Sequence, residues 1–126
     1  MNITLLRAKI HRATVTATEP DYEGSISVDR RLLEACGIME FEKVLVADVT
    51  NGQRFETYCL SSPTEGLVCV NGAAARLVSK GDLVIIMAFG QMSLAEAAGF
   101  QPAVVRADSS NRARPAEKSG SGGILV

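Results

Sequence analysis

The sequence has few of the residues that mark several large classes of protein. It contains one histidine, no tryptophan and three cysteines in 126 residues. A single histidine excludes zinc sites built from several histidines. Cys36, Cys59 and Cys69 are odd in number and form no C-x-x-C pair, which is typical of reduced, buried thiols. We therefore predict no metal site and no disulfide.

Long apolar runs and an excess of charge of one sign are also missing. The longest apolar run, Leu83 to Phe89, has seven residues, whereas a membrane-spanning helix needs roughly 20. Arg7, Lys9 and Arg12 interrupt the amino-terminal segment before a signal-peptide core forms. Thirteen Lys and Arg against fourteen Asp and Glu leave a formal net charge of -1, which gives no general attraction for nucleic acid or an anionic membrane. A cytoplasmic protein without nucleic-acid or membrane partners is expected.

The residues that are present predict one small β-barrel domain over 1–108. Runs rich in Ile, Val and Thr predict six strands, at 3–18, 43–50, 53–60, 67–70, 83–89 and 103–107. Asn51-Gly52 is a strong hairpin signal between two of these runs. Asp29 and Gly37 predict the two ends of a short helix. From Ser109 the composition shifts to small and polar residues, which predicts a flexible tail over 109–126.

Two local patterns suggest chemistry, although each is weak alone. Gly24-Ser25 lies in a polar turn, where such a dipeptide is usually a plain connector. A functional interpretation needs a glycine carbonyl that the serine hydroxyl attacks. Glycine suits this position because it tolerates backbone geometry that other residues resist. Period-2 geometry puts Arg54 and Tyr58 on the same face of their predicted strand. Without further information Arg54 is more often a solvated charge and Tyr58 a half-buried barrel residue.

Six blocks together give the chain a specific resemblance. They are Lys9-Ile10-His11-Arg12, Tyr22-Glu23-Gly24-Ser25, Asn51-Gly52-Gln53-Arg54-Phe55, Thr57-Tyr58, Asn71-Gly72-Ala73-Ala74-Ala75 and Gly81-Asp82-Leu83-Val84-Ile85-Ile86. In this order and spacing the chain resembles the pyruvoyl-dependent aspartate decarboxylases of bacteria from Met1 to about Phe100. The resemblance implies a six-stranded double-psi β-barrel with short helices, assembled as a homotetramer with active sites between neighbouring subunits.

The resemblance also implies a proenzyme that cuts itself between Gly24 and Ser25. The Ser25 hydroxyl attacks the Gly24 carbonyl to give an ester, and β-elimination followed by hydrolysis converts Ser25 into an amino-terminal pyruvoyl group. The products are chains 1–24 and 25–126. The pyruvoyl ketone forms an imine with L-aspartate and is the electron sink when the α-carboxylate leaves as carbon dioxide. The implied product is β-alanine for pantothenate and coenzyme A.

Individual site residues follow from the same resemblance. Tyr58 matches the family's proton donor, and Arg54 matches the residue that holds a substrate carboxylate, for which a guanidinium offers bidentate geometry. Lys9 and His11 would add positive or polar character near the same site, with Lys9 taken as substrate-binding. Four further positions match substrate contacts of the family: Thr57, Gly72, Ala73 and Ala74.

Two alternatives remain open from the residues. The first is a non-catalytic binding module on the same small barrel, because a fold alone does not determine function; such a module has no need for Gly24-Ser25, Arg54 and Tyr58 together. The second is a pyruvoyl decarboxylase for another amino acid or for phosphatidylserine. Phosphatidylserine enzymes place their Gly-Ser site near the carboxyl end with membrane-binding features, and this sequence has neither.

Overall fold

The computed structural model describes residues 1–114, and most of its secondary structure is strand. Its elements are β1 (Asn2–Thr14), β2 (Ala17–Glu19), β3 (Ser25–Asp29), α1 (Arg30–Cys36), β4 (Lys43–Asp48), β5 (Arg54–Ser62), β6 (Val68–Asn71), a 3₁₀ helix (Gly72–Leu77), β7 (Leu83–Ser93), α2 (Leu94–Ala97) and β8 (Ala103–Arg106). The eight strands form one sheet in the order β2-β6-β3-β5-β4-β7-β1-β8. The mainly β fold with short helices is confirmed, with eight strands in residues 1–114 where six were expected. Closure into a double-psi barrel stays a prediction.

Local sequence signals account for α1 and for the β4–β5 hairpin. The Asp29 carboxylate accepts a hydrogen bond from the Arg31 backbone N–H at 2.9 Å and so caps α1. The helix ends at Gly37, whose φ of 76° is the left-handed conformation that glycine adopts at low cost. Asn51 and Gly52 form the turn between β4 and β5, with Gly52 at φ 79°. Both predictions are confirmed.

The first predicted strand is divided into β1 and β2. The pairing of β1 with β7 shifts register between Ile10 and Ala13. Arg12 lies within this shift at φ 62°, which is uncommon for a residue other than glycine. Beyond it, the Thr16 backbone N–H donates to the Val68 carbonyl at 2.8 Å, and β2 continues in parallel with β6. An alternating sequence pattern does not reveal such a bulge, so the single long strand over 3–18 was wrong.

The alternation of β4 and β7 separates a core face from an outer face. The inward side chains are 0 or 1% exposed: Val44, Val46, Val84 and Ile86. The residues between them are half-buried on the outer face: Leu45, Ala47, Ile85 and Met87. This outer face carries several of the predicted substrate-binding residues.

Asn111 is buried although it lies in the flexible tail predicted over 109–126, whereas the other residues of 109–114 are exposed. Asn111 is 1% exposed, and its amide oxygen accepts from the Thr14 N–H at 2.7 Å. Its amide nitrogen donates to the carbonyl oxygens of Thr14 at 2.8 Å and Gly66 at 2.9 Å. Composition alone does not reveal an asparagine that satisfies distant backbone groups. The rest of the predicted tail, 115–126, lies outside the described residues.

Candidate active site

A cavity of about 550 Å³ opens where β3 begins, and we call it the Ser25 pocket. It brings together the predicted catalytic residues Ser25 and Tyr58. Its lining consists of Asp21, Tyr22, Glu23, Ser25, Ser27, Tyr58, Leu60 and Asn71. The parallel pairing of β3 with β5 explains the meeting, because it aligns Ile26 with Cys59 and so brings the residues before them side by side.

The Ser25 hydroxyl is buried and held by an asparagine. Ser25 is 2% exposed and faces Asn71 across the antiparallel pairing of β3 with β6. The Asn71 amide nitrogen donates to Ser25 Oγ at 2.9 Å and to Ser27 Oγ at 3.2 Å. Its amide oxygen accepts from Cys69 Sγ at 3.3 Å. Asn71 is itself 7% exposed, so this side chain is a fixed support for the serine hydroxyl.

Asn71 belongs to a motif that carries the family resemblance, but no role was predicted for it. The available signal was its place at the end of a buried strand, directly before the small residues of the 3₁₀ helix. Tyr22 and Glu23 belong to another of these motifs, also without a predicted role, and both line the Ser25 pocket.

The loop that carries the predicted cleavage site rests on Gly72. Gly72 has φ 78°, and a Cβ atom there would lie 2.5 Å from Gly24 Cα, 2.7 Å from Gly24 N and 3.1 Å from the Tyr22 carbonyl oxygen. At Gly24 itself φ is not left-handed, and a Cβ atom would meet nothing within 4 Å. The unusual backbone geometry that was expected at Gly24 is therefore found at Gly72, where only glycine fits. Ala73 and Ala74 follow in the 3₁₀ helix and do not line the pocket.

The predicted substrate-binding cations, Lys9 and Arg54, lie on the outer face of the sheet and do not line the Ser25 pocket. Arg54 pairs with Ala47 of β4, and Ala47 pairs with Ile85 of β7. Lys9 of β1 pairs with Met87 of β7. His11 pairs with Arg106 of β8. We call the four basic residues the cationic face: Lys9, His11, Arg54 and Arg106.

The two parts of the predicted site are separate within one chain. Arg54 and Tyr58 project from the same face of β5, but four residues of extended strand place their Cα atoms about 13 Å apart. Thr57, between them in sequence, points to the other face. Within residues 1–114 the Ser25 pocket is lined by two acidic residues, Asp21 and Glu23, and by no Lys, Arg or His.

The cationic face holds positive charge that the described residues do not balance. Lys9 and His11 are 6% and 7% exposed. Burial lowers the pKa of Lys9, and the Arg106 guanidinium lowers it further. Burial also lowers the pKa of His11, with added repulsion from Lys9, Arg106 and Arg12. Among residues 1–114, no carboxylate forms an ion pair with Lys9, Arg54 or Arg106, so this face is suited to an anionic group from outside the chain.

The cysteines are buried, as predicted, and none is activated as a nucleophile. Burial raises the pKa of Cys36 and Cys69, and it raises the pKa of Cys59 to about 12. In the part of the chain that the structure describes, no group of three or more His, Cys, Asp or Glu side chains is arranged to hold a metal ion. No helix within residues 1–114 has the length and apolar character to cross a membrane.

Comparison with known proteins gives the same family along the whole described chain. A family model described as aspartate decarboxylase matches residues 1–114. A protein named aspartate 1-decarboxylase from Campylobacter jejuni (strain RM1221) is 57% identical over 113 residues, which are 90% of each chain. Proteins of that name from Ruminiclostridium cellulolyticum and Xylella fastidiosa (strain 9a5c) are each 55% identical, over 89% and 88% of this chain and 88% and 89% of their own. These matches confirm the resemblance carried by the six sequence blocks.

Proposed function

Because this chain belongs to the aspartate decarboxylase family, we propose that it removes the α-carboxylate of L-aspartate with a pyruvoyl group formed from its own Ser25. It is then a carboxy-lyase whose product, β-alanine, feeds pantothenate synthesis in the cytoplasm. The observation that carries the proposal is the Ser25 pocket. There the hydroxyl of a buried serine at the head of a strand is held by Asn71 and lies beside Tyr58.

The surroundings of Ser25 favour self-cleavage. Ser25 Oγ donates to the Glu23 carbonyl oxygen at 3.4 Å, so the hydroxyl is turned back along the chain toward the peptide bond that it must attack. In that reaction the bond from Ser25 Oγ to the Gly24 carbonyl carbon forms and the Gly24–Ser25 C–N bond breaks, leaving an ester. Elimination releases the Gly24 carboxylate, and hydrolysis with loss of ammonia leaves the ketone. Asn71 orients the hydroxyl, and Gly72 allows the loop to lie against it.

Both chains that cleavage would produce contribute strands to the same sheet. Chain 1–24 contains β1 and β2, which pair with β7, β8 and β6 of the larger chain. Ser25 becomes the first residue of β3, which pairs with β5 on one side and β6 on the other. The two chains are therefore expected to remain associated, with the new terminus in the Ser25 pocket.

The pocket residues fit a pyruvoyl group at position 25. Such a group supplies a ketone that takes up the substrate amine and accepts the electron pair released with carbon dioxide. The Tyr58 hydroxyl, beside Ser25, is the group that returns a proton to the α-carbon. The four predicted substrate contacts Thr57, Gly72, Ala73 and Ala74 do not line the Ser25 pocket of a single chain. Their role stays a prediction, and Thr57 is expected to act through its backbone because its side chain points away from Tyr58.

A second copy of the chain completes the site. L-Aspartate carries two carboxylates, and the Ser25 pocket adds two more from Asp21 and Glu23. Substrate binding therefore needs cations, and Lys9 and Arg54 lie on the cationic face. We propose that the cationic face of one copy covers the Ser25 pocket of another in a homotetramer. The arrangement also encloses the half-buried apolar residues of the outer face and excludes water from the reacting atoms.

Intact mass under denaturing conditions tests the proposal. Wild-type protein is expected to give two chains, 1–24 and 25–126, with the larger blocked to amino-terminal sequencing. The Ser25→Ala variant is expected to give one full-length chain without activity, while the Ser27→Ala control is cut. A single full-length chain in an active wild-type preparation would contradict the proposal.

A further inference from the structure

Two buried aspartates meet on the inner side of the sheet, where the turn from β4 to β5 approaches the turn that leads into β7. Asp48 ends β4 and continues the inward alternation of Val44 and Val46. Asp82 directly precedes β7 and is in phase with the inward Val84. The two residues are 2% and 9% exposed, and their side chains are in hydrogen-bonding contact. We call them the buried acid pair.

Each carboxyl group of the buried acid pair has one oxygen that holds its own turn. Asp48 Oδ1 accepts from the backbone N–H groups of Thr50 at 2.8 Å and Asn51 at 3.1 Å. Asp82 Oδ2 accepts from the backbone N–H of Ser79 at 3.0 Å. Both side chains are therefore fixed by backbone groups in the positions where they face each other.

The other oxygen of Asp48 needs a hydrogen-bond donor. Asp48 Oδ2 is buried and has no hydrogen-bond partner among the described residues. A buried polar atom without a partner is rare and calls for a physical reason. Two ionised carboxylates in contact would also repel each other, and an unpaired buried charge is costly. One proton removes both difficulties, because the O–H of one carboxylic acid donates to an oxygen of the other carboxylate.

The elements around the buried acid pair supply no cation to neutralise it. In residues 1–114, no lysine or arginine forms an ion pair with Asp82, and none forms one with Asp48. Lys80 in the turn before β7 and Arg54 after the other turn are exposed. The junction of β1 and β2 contributes backbone, with the Val15 N–H donating to the Asp82 carbonyl oxygen at 2.8 Å. A proton is therefore the positive charge available to the pair.

We propose that Asp48 and Asp82 bind one proton between them, as a carboxylic acid and a carboxylate, and that this proton joins the turn from β4 to β5 to the turn that leads into β7. Burial raises the pKa of Asp48, and the contact with Asp82 raises it further. The two carboxyl groups titrate as a unit. When the proton leaves, repulsion between two charges replaces the hydrogen bond, and the contact between the turns weakens.

Loss of this proton has a consequence for the proposed active site. The Asp48 backbone N–H donates to the Gln53 carbonyl oxygen at 2.8 Å, and Arg54 is the next residue. A weakened contact between the turns holds Arg54 less firmly. The KM for aspartate is therefore expected to rise with pH as the pair loses its proton. This consequence rests on the proposed function, whereas the shared proton does not.

Carbon NMR of the wild-type protein, labelled at its aspartate carboxyl carbons, tests the shared proton directly. One aspartate signal is expected to titrate above the usual pKa of 3.8. This raised titration should be lost in Asp48→Asn and in Asp82→Asn, because the amide that each variant introduces donates permanently to the remaining carboxylate. The wild-type titration and the Asp82 variant carry the test if the Asp48 variant does not fold.

The pH dependence of unfolding is the second measurement. Between pH 3.8 and the raised pKa of Asp48, the folded protein keeps a proton that the unfolded chain has released. Its contribution to stability is complete below this range, is lost as the pH rises through it, and then stays constant. Asp48→Asn should remove this loss, so its Tm should exceed that of the wild type above the range. Glu34→Gln removes an exposed carboxylate from α1 and should retain the loss.

Two results would overturn the inference. One is a wild-type protein in which every aspartate carboxyl titrates at or below its usual pKa. The other is a wild-type Tm that magnesium or calcium chloride raises, with no such rise in Asp48→Asn, because a metal cation would then join the carboxylates in place of a proton. An inactive or uncut preparation that still shows the raised titration would contradict the proposed function and leave this inference standing.

Discussion

The Ser25 pocket and the cationic face are built from neighbouring strands but have opposite chemical character. The pocket has a buried hydroxyl, an amide that holds it, two carboxylates and no cation among the described residues. The face has buried Lys9 and His11 with Arg54 and Arg106, and no carboxylate in residues 1–114 pairs with its lysine or arginines. The proposed function assigns the formation and use of the reactive group to the pocket, and the recognition of a dicarboxylate to the face.

Under the proposed function, the difference predicts which steps a single chain performs alone. The proposed self-cleavage needs the serine, its supporting asparagine and the loop packed on Gly72, and a single chain provides all three. Aspartate binding needs cations that the same pocket lacks. Changes on the cationic face should therefore alter substrate binding and spare cleavage, whereas changes beneath the loop should alter cleavage first.

The largest effect is expected from Arg54→Gln. It removes a proposed charged partner of the substrate at an enclosed site, which typically costs 2–5 kcal/mol and corresponds to a rise of about thirtyfold or more in the KM for aspartate. Cleavage at Gly24 should remain complete, as measured by intact mass. Arg112→Gln, which removes an exposed charge paired with Glu65, is the control and should leave KM unchanged. An uncut Arg54 variant would contradict this separation, because it would show that cleavage also depends on the cationic face.

Gly72→Ala should slow cleavage by more than tenfold. A methyl group there meets Gly24 Cα at 2.5 Å, and the left-handed φ adds about 1–2 kcal/mol of strain for alanine. The uncut fraction over time, followed by mass, measures the effect. Gly24→Ala is the matched control, because a methyl group at Gly24 meets nothing within 4 Å. The Gly24 variant should therefore be cut faster than the Gly72 variant. The reverse order would show that the loop does not rest on Gly72.

A smaller loss is expected from Asn71→Ala. The variant leaves Ser25 Oγ without its 2.9 Å hydrogen bond, which costs about 1–3 kcal/mol and slows cleavage about tenfold. The initial cleavage rate, again from intact mass, is the readout. Cys69→Ala removes the donor to the Asn71 amide oxygen and should change the rate less. Equal rates for wild type and the Asn71 variant would remove Asn71 from the cleavage machinery.

Features set by local sequence were predictable, and those set by distant contacts were not. Asp29, Gly37 and Asn51-Gly52 act on backbone groups a few residues away, so their motifs predict the helix ends and the hairpin. Asn71 contacts a serine 46 positions earlier, and Asn111 contacts a backbone group 97 positions earlier. No local pattern records such partners. The bulge at Arg12 likewise depends on how β1 pairs with β7.

The site residues show the same division. The resemblance to a family named Ser25 and Tyr58, and the parallel pairing of β3 with β5 explains why they meet. It also named Lys9 and Arg54, but residue types alone do not tell that these cations lie outside the pocket of their own chain. That separation follows from the register of β1, β4 and β5 against their neighbours.

The most direct test of the shared site is complementation between two variants, the inactive Ser25→Ala and the substrate-binding variant Arg54→Gln, at an aspartate concentration well below the KM of the latter. Ser25→Ala chains keep an intact cationic face, and Arg54→Gln chains keep an intact Ser25 pocket. If each active site combines the pocket of one copy with the cationic face of another, random co-assembly restores roughly a quarter of the sites. Aspartate decarboxylation by the co-expressed variants should then far exceed the sum of the two expressed separately. Activity equal to that sum would contradict a site shared between copies.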